Sequence, residues 1–247
     1  MDESTRKLID DYQTPESVIL RLRDIQTVIL TGITGAGKDT IIRSMLSDER
    51  FNKVITSTTR APRENNGVME NDGTDYYFLS QEQALSKINN GSYIEVNNVH
   101  GLIYGSLIEE YERIDSINKI ALTTVDYQGA DNFLSFDMNN LTVIFVIPPD
   151  FNTWLERISG RHGGSLEGSK EDILKRLTSA DKEITHALNN SHFVPVMNVE
   201  IQDCAKDIID IAIEGRSVAE EDIADSHEAL RELHYDLHNY INRIKDK

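Results

Sequence analysis

The protein has 247 residues, 39% of them hydrophobic, with a formal net charge of −17 and one cysteine. This length allows one large α/β domain with appendages or two small domains, and the acidic charge disfavours nucleic acid and anionic membranes as partners. The chain lacks an apolar run of the ~20 residues that a membrane span needs, and residues 1–4 lack a secretion-signal pattern. Because Cys204 cannot form an internal disulfide, we expect a cytoplasmic protein.

The first elements in the chain lead to a phosphate-binding loop. Residues 1–24 form a predicted N-terminal helical extension, with a helix starting near Thr14-Pro15-Glu16. A β-branched run at 27–31 predicts a strand, and 40–46 predicts a helix. Between them lies GITGAGKD, which satisfies the pattern G-x-x-x-x-G-K.

In that loop the glycines let consecutive backbone N–H groups point at an anion, and the helix start adds its dipole. Lys38 would reach the outer phosphates. The predicted ATP-binding residues are Gly32, Ile33, Thr34, Gly35, Ala36, Gly37, Lys38, Asp39 and Thr40. A plain glycine-rich turn is the alternative. Asp39 occupies the place of the usual Mg²⁺-binding Ser or Thr, so we mark it as a metal ligand for Mg²⁺.

The next segment predicts an anion site and a base-reading strand. The first part of residues 54–63 predicts a strand, and its hydroxyl-rich end followed by Arg60 and Arg63 predicts an anion site, with Pro62 keeping the backbone there extended. An aromatic strand at 75–79, a helix opened by a Ser80–Gln83 capping box, and a strand at 93–96 follow. The glycine turn after that strand ends at Ser106, which we expect to cap the next helix.

The second half of the chain alternates strands and helices. Buried runs at 120–126 and 141–149 predict parallel strands, which places Thr124 and Asp126 at a strand end where ligands bind. Asp126 could instead be a helix N-cap. A glycine-rich loop after helix 151–159 predicts a lid at about 160–175. The remaining elements are a helix at 170–189, a strand at 193–197 and a helix at 202–213. The alternation predicts a P-loop NTPase-type α/β fold with helices on both faces of a parallel sheet.

Residues 215–247 form a predicted C-terminal amphipathic helix with a heptad-like seam. The seam residues are Ile223, His227, Leu230, His234, Leu237, Ile241 and Ile244. The helix could dock on the domain or join two chains as a homodimer. A metal site through His227 and His234 is a weaker alternative, because the sequence has no Cys or acid cluster spaced for it.

Several ordered motifs make the chain resemble the guanylate kinase family over residues 27–213. They are GITGAGKD at 32–39, STTRAPR at 57–63, GTDYYF at 73–78, YIEV at 93–96, IYGS at 103–106, VDYQGA at 125–130, IPP at 147–149 and DILKRL at 172–177. The resemblance implies a domain at 25–214 with an NMP-binding insertion at about 57–110, and transfer of the ATP γ-phosphoryl to GMP with Mg²⁺.

The resemblance also implies roles for individual residues. Those that would bind GMP are Thr56, Arg60, Arg63, Tyr76, Glu95, Tyr104, Ser106 and Asp126. Those that would surround the transferred phosphoryl are Lys38, Arg157, Arg161 and Arg176. Glu95 would accept hydrogen bonds from the guanine N1–H and amino group, which adenine cannot donate together.

Two residues depart from the family pattern. Asp39 replaces the P-loop hydroxyl, and Thr124 stands where the family usually has the first acid of an Asp-x-Asp pair. We hypothesise that a carboxylate moved from the strand end to the P-loop, which keeps the charge near Mg²⁺ constant. Ribose 1,5-bisphosphate phosphokinases can share the Lys-Asp loop, and a non-catalytic binding module is a further alternative.

Overall fold

The computed structural model describes residues 2–65, 67–160, 170–214 and 220–245. Of the predicted lid, residues 161–169 with Arg161 lie outside the described residues. The chain divides into two compact units. The first comprises Met1–Thr27, Arg50–Ala121 and Ser135–Asn140, and the second comprises Val28–Glu49, Leu122–Leu134 and Leu141–Lys247.

The helices of the described residues are α1 (Glu3–Asp10), α2 (Glu16–Leu22), α3 (Lys38–Met45), α4 (Gln81–Asn89), α5 (Ile108–Ser116), α6 (Tyr127–Ser135), α7 (Phe151–Gly160), α8 (Lys170–Asn189), α9 (Ile201–Glu214) and α10 (Glu220–Lys245). The strands are β1 (Thr27–Thr31), β2 (Phe51–Lys53), β3 (Ser57–Thr58), β4 (Glu64–Asn65), β5 (Val68–Met69), β6 (Tyr77–Phe78), β7 (Tyr93–Val99), β8 (Leu102–Leu107), β9 (Ile120–Thr124), β10 (Leu141–Ile147) and β11 (Phe193–Met197).

A central parallel sheet runs in the order β11-β10-β1-β9-β2 and is flanked by helices, which confirms the predicted α/β fold. All five residues of β1 are buried, as are the last five of β10. These mainly apolar runs are buried along their length, as expected for parallel strands between helix layers. The carboxyl end of β1 leads directly into the glycine-rich loop.

The first unit contains a second sheet in the order β6-β3-β8-β7. In it β7 and β8 pair antiparallel, so that Glu95 lies opposite Ser106. The strand predicted in the first part of residues 54–63 is wrong in position and extent, because β2 ends at Lys53 and β3 holds only Ser57 and Thr58. The Ile55 N–H donates to the buried Glu110 carboxylate at 3.2 Å instead of joining a ladder.

Two of the predicted helix caps differ in outcome. At α4 the capping box is confirmed, with Gln83 N donating to Ser80 Oγ at 3.1 Å and Ser80 N donating to Gln83 Oε1 at 2.7 Å. Ser106 as the cap of α5 is wrong. The N-cap is Leu107, without a side-chain bond, because β8 continues through Leu107 and turns the Ser106 hydroxyl toward β7.

The C-terminal helix α10 packs against α7, α8 and β11 within the second unit. Its buried face holds Leu230, Leu233, Leu237 and Ile241. The predicted seam therefore lies on the side of α10 that is buried, except that Leu233 is buried there and His234 is only half-buried. Docking within the chain accounts for the heptad-like spacing. Across the described helices, we find none with the length and apolar character to cross a bilayer.

Candidate active site

The glycine-rich loop between β1 and α3 has the backbone of a phosphate cradle. Gly32, Gly35 and Gly37 all adopt positive φ, at 128°, 88° and 101°. Gly37 is the N-cap of α3 and offers no side chain to the first turn of the helix. Backbone N–H groups at the start of a helix are a favourable place for an anion, and the phosphate-binding role of this loop stays a prediction.

Gly32 is also fixed by packing, because a Cβ there would lie 2.4 Å from the carbonyl oxygen of Val146 in β10. Gly32→Ala should therefore cost about 1–2 kcal/mol for the left-handed backbone and about 1–3 kcal/mol more for overpacking. Gly101→Ala is the matched control, since its φ is 83° and no described atom lies within 4 Å of the added Cβ. Urea denaturation measures both losses, and equal losses would refute the packing argument.

Trp154 and Asn198 hold the loop from two other elements. The Trp154 indole N–H donates to the Thr34 carbonyl at 2.7 Å, and Asn198 Nδ2 donates to the Ala36 carbonyl at 2.7 Å. Asn198 escapes sequence reasoning because a single Asn after a strand carries no distinctive pattern. Both residues are buried, so they pin the loop in one conformation.

Lys38 lies at the first position of α3, and its ammonium group folds back over the loop. Its Nζ donates to the Gly32 carbonyl and, at 3.1 Å, to the Ile33 carbonyl. These neutral acceptors hold the charge at the cradle without cancelling it. A bound phosphate would offer the ammonium a charged acceptor, which makes a stronger hydrogen bond than a carbonyl.

Arg157 on α7 supplies a second cation near the loop. Its Nη2 donates to the Asn198 carbonyl at 3.3 Å, and the Asn198 side chain in turn binds the loop. Within the described part of the chain, the buried Nη1 of Arg157 has no hydrogen-bond partner. A buried guanidinium N–H without an acceptor is costly, and an anionic ligand would satisfy it.

The other predicted residues of the second unit lie around α6 and α8. Asp126 is the N-cap of α6, with Oδ1 accepting from Gly129 N at 2.8 Å, which confirms the capping alternative. It lines a groove together with Glu183 of α8. Burial raises the pKa of Glu183, and the charge of Lys38 partly opposes that rise. Arg176 is exposed on α8.

Asp39 and Thr40 lie in the first turn of α3, where Asp39 is exposed and Thr40 is half-buried. Thr124 is exposed at the last position of β9. The oxygens of Asp39 and Thr40 are hard donors of the kind that Mg²⁺ prefers. The first turn of α3 therefore fits a magnesium ion beside the phosphate cradle.

Arg60 and Glu70 form the centre of the first unit's predicted phosphate site. Two nitrogens of Arg60 donate to the two carboxylate oxygens of Glu70, at 2.8 and 2.9 Å, and the arginine is only 8% exposed. The bond to Glu70 raises the pKa of the Arg60 guanidinium, with a smaller contribution from Tyr104. Glu70 also accepts from Arg63 N at 2.8 Å, so it ties the two predicted clamp arginines together.

Tyr76 and Tyr104 complete this cluster. The Arg60 guanidinium lies 5.2 Å from the Tyr76 ring centre, and the Tyr76 and Tyr104 rings are 6.1 Å apart. Arg63 is exposed at its edge. Sequence reasoning missed Glu70; the signal that could have found it is an acid placed just before GTDYYF, in a loop already carrying two arginines.

The predicted base-reading residues meet across β7 and β8. Ser106 Oγ is buried and donates to Glu95 Oε1 at 3.1 Å, and Glu95 is half-buried. Thr56 is half-buried just before β3, and its carbonyl accepts from Tyr77 N at 2.9 Å. The Ser106 bond fixes one carboxylate oxygen and so orients the acid.

Comparisons with known proteins agree with this geometry. The chain is 30% identical over 182 residues to guanylate kinase 1 of Arabidopsis thaliana, covering 72% of this chain and 45% of that protein. It is 32% identical over 163 residues to the guanylate kinase of Porphyromonas gingivalis, covering 65% of this chain and 82% of that protein. The chain spans about half the length of the two plant relatives that it matches, 45% and 46%.

A solved structure of guanylate kinase from Anaplasma phagocytophilum has the same fold, with a TM-score of 0.55 at 24% identity. The structural match covers 82% of this chain and 94% of the Anaplasma phagocytophilum chain. Residues 24–214 match the family model for guanylate kinase, which is most of the sequence. The chain therefore belongs to the guanylate kinase family.

Proposed function

We propose that this protein transfers the γ-phosphoryl group of ATP to GMP, giving ADP and GDP. The observation that carries the proposal is the pairing of Glu95 with the buried Ser106 in the same sheet as Tyr104. This pairing offers a carboxylate to two adjacent donors of a base, in the same unit as Arg60, which would hold the phosphate. Guanine has such a donor pair and adenine does not, so adenine would lose both of these hydrogen bonds to the carboxylate.

In the acceptor half of the proposal, Arg60, Arg63, Tyr76 and Tyr104 bind the GMP phosphate. An arginine offers five N–H donors in a planar fork that matches phosphate oxygens. Glu70 occupies two of the Arg60 nitrogens and fixes the plane of the guanidinium before GMP arrives. Thr56 and Asp126 are the further acceptor contacts in this proposal.

In the donor half, the backbone of residues 32–40 holds the ATP phosphates, and Lys38, Arg157, Arg161 and Arg176 neutralise the transferred group. Phosphoryl transfer requires in-line positioning, charge neutralisation and exclusion of water rather than covalent help from the protein. The unpaired Nη1 of Arg157 within the described residues supports this role. Closure of the proposed lid at about 160–175 would exclude water.

Magnesium belongs to the same proposal, with Asp39 and Thr40 as the residues that would hold it. When bound with ATP, the ion supplies positive charge to the phosphate oxygens. The family usually has a hydroxyl at the P-loop position of Asp39 and an acid at the strand-end position of Thr124. In this chain the two groups are exchanged. We propose that the two departures compensate each other.

A double-mutant cycle tests this compensation. Asp39→Ser and Thr124→Asp should each raise the Mg²⁺ concentration that gives half-maximal turnover. The double variant should bring that concentration part of the way back. We expect a coupling energy of about 0.5–3 kcal/mol, the range for residues that share one network. Turnover measured against Mg²⁺ concentration gives the four values. If the effects of the two single substitutions add to within about 0.5 kcal/mol, the proposed compensation between Asp39 and Thr124 is contradicted.

A coupled ADP-release assay with GMP, dGMP, AMP and ribose bisphosphate as acceptors tests the function. We expect turnover with GMP, and far less with AMP. Turnover with the ribose bisphosphate alone would favour the related kinase class, and binding of GMP without turnover would favour an interaction module. Either result would contradict the proposal.

The remaining parts of the proposal concern partners and compartment. We propose a cytoplasmic enzyme whose partners are ATP and GMP, without nucleic acid or membrane. A homodimer through α10 stays a prediction, and light scattering coupled to size-exclusion chromatography measures it directly. Because α10 buries its leucines within its own chain, a dimer would have to use its exposed face.

A further inference from the structure

Three metal-ligating side chains meet where α10 packs on α8, in a cluster formed by Asp181, His234 and His238. Asp181 Oδ1 lies 3.0 Å from His234 Nε2 and 2.8 Å from His238 Nε2. The ligand atoms of the three residues all lie within 4.8 Å of one another. The cluster shares no residue with the proposed ATP and GMP sites.

The arrangement follows from helix geometry. His234 and His238 are four residues apart on α10, so both rings project from one face of the helix. The carboxylate comes from the neighbouring helix α8, which sequence spacing cannot show. From the sequence, His227 and His234 were the candidate metal ligands, without a matching acid. In the structure His238 lies beside His234, and Asp181 contacts both.

The two histidines direct the same atom, Nε2, at a single carboxylate oxygen. His234 Nε2 also lies 3.1 Å from Thr185 Oγ1, so several polar atoms converge on one point. The two rings are 4.8 Å apart and nearly perpendicular, at 80°. In a tetrahedral zinc site with bonds of about 2.0–2.2 Å, neighbouring ligand atoms lie about 3.4 Å apart. Small side-chain rotations would reach that spacing from the observed distances.

We propose that Asp181, His234 and His238 bind a divalent transition metal of the zinc type. Two imidazoles and a carboxylate suit Zn²⁺, Co²⁺ or Ni²⁺, whereas Mg²⁺ prefers six oxygen ligands. Three protein ligands leave a fourth position for water. The side chain of His238 is 55% exposed, so the ion can enter from solvent. The net charge of −17 favours the cation.

The bound metal would tie α10 to α8. Such a link stabilises the docked tail by mass action, because the ligands come together only in the folded chain. It would act on a helix that also carries Glu183 and Arg176, but it does not depend on the proposed kinase activity. The test therefore uses binding and unfolding rather than turnover.

The test is a titration of the metal-free full chain with Co²⁺ and Zn²⁺. We expect one equivalent of Co²⁺ to give the visible absorption of a four-coordinate site, and Zn²⁺ to displace it and raise the unfolding midpoint. Excess Mg²⁺ should not displace the Co²⁺. His238→Gln should weaken binding at least as much as loss of a second-shell partner does, about 10- to 100-fold. Asp181→Asn should do the same.

His227→Gln is the matched control, because it removes a histidine from the same helix outside the cluster. It should bind Co²⁺ as tightly as the unaltered chain. Equal weakening in the control, or unchanged binding in both His238→Gln and Asp181→Asn, would overturn the proposal. So would an absorption spectrum typical of six-coordinate Co²⁺ bound by water and surface carboxylates.

Discussion

Lys38→Met should abolish most of the phosphoryl transfer, lowering kcat by at least about 10²- to 10³-fold, the loss seen when one preorganised donor to a developing charge is removed. The Lys38 ammonium lies over the loop, held by the Gly32 and Ile33 carbonyls. Methionine keeps the length and volume of the side chain but has no charge to offer the transferred group. Steady-state kinetics at saturating ATP and GMP measure the effect.

The same variant separates a chemical role from a structural one. The two bonds from the Lys38 ammonium to the loop carbonyls have a charged donor and are worth about 1.5–3 kcal/mol each, so the unfolding free energy is measured beside kcat to separate the loss of stability from the loss of chemistry. Lys206→Met is the control, since Lys206 is exposed on α9. A Lys38→Met protein that keeps more than a tenth of the kcat would contradict the proposed role.

Glu95→Gln should lower kcat/KM for GMP by about 10- to 150-fold, which corresponds to about 1.5–3 kcal/mol for a hydrogen bond to a charged group. Glutamine keeps one acceptor oxygen and replaces the other by an amide NH2 group, so one guanine donor would face a donor. The activity with AMP should not fall in parallel, because adenine does not present that donor pair. The GMP-to-AMP ratio of kcat/KM is the measurement.

Glu82→Gln provides the control for Glu95, because Glu82 is exposed in the first turn of α4. It removes the same charge from the same unit without touching the predicted base pocket. Equal losses for GMP and AMP in Glu95→Gln would show that the acid supports the fold rather than reads the base.

The sequence predicts those parts of the site that depend on local pattern. Strand, glycine-rich turn and helix follow one another directly, so the loop and Lys38 could be placed from 20 or so residues. The pairing of Glu95 with Ser106 follows from one short antiparallel ladder. The motif order was enough to bring Arg60, Tyr76 and Tyr104 into one predicted set.

Contacts between distant residues could not be predicted in this way. Trp154 reaches Thr34 across 120 residues, and Asn198 reaches Ala36 across 162. Neither has a spacing rule that links it to the loop. The strand predicted in the first part of residues 54–63 fails for a related reason, because Ile55 N bonds to Glu110, a side chain 55 residues away. Local propensity is overridden there by a tertiary hydrogen bond.

The tail shows both outcomes in one helix. Its 3.5-residue repeat correctly predicts an apolar face, because periodicity is a property of the helix alone. Which residues complete the packing depends on the neighbouring helix, so Leu233 and the approach of Asp181 to His234 were not foreseen.

The most direct test of the central claim follows the phosphoryl group itself. The full chain is incubated with ATP labelled in its γ-phosphate, GMP and Mg²⁺, and the products are separated. The proposal predicts that the label appears in the β-phosphate of GDP, in a one-to-one ratio with ADP. Label released only as inorganic phosphate, or ADP formation that does not depend on GMP, would contradict it.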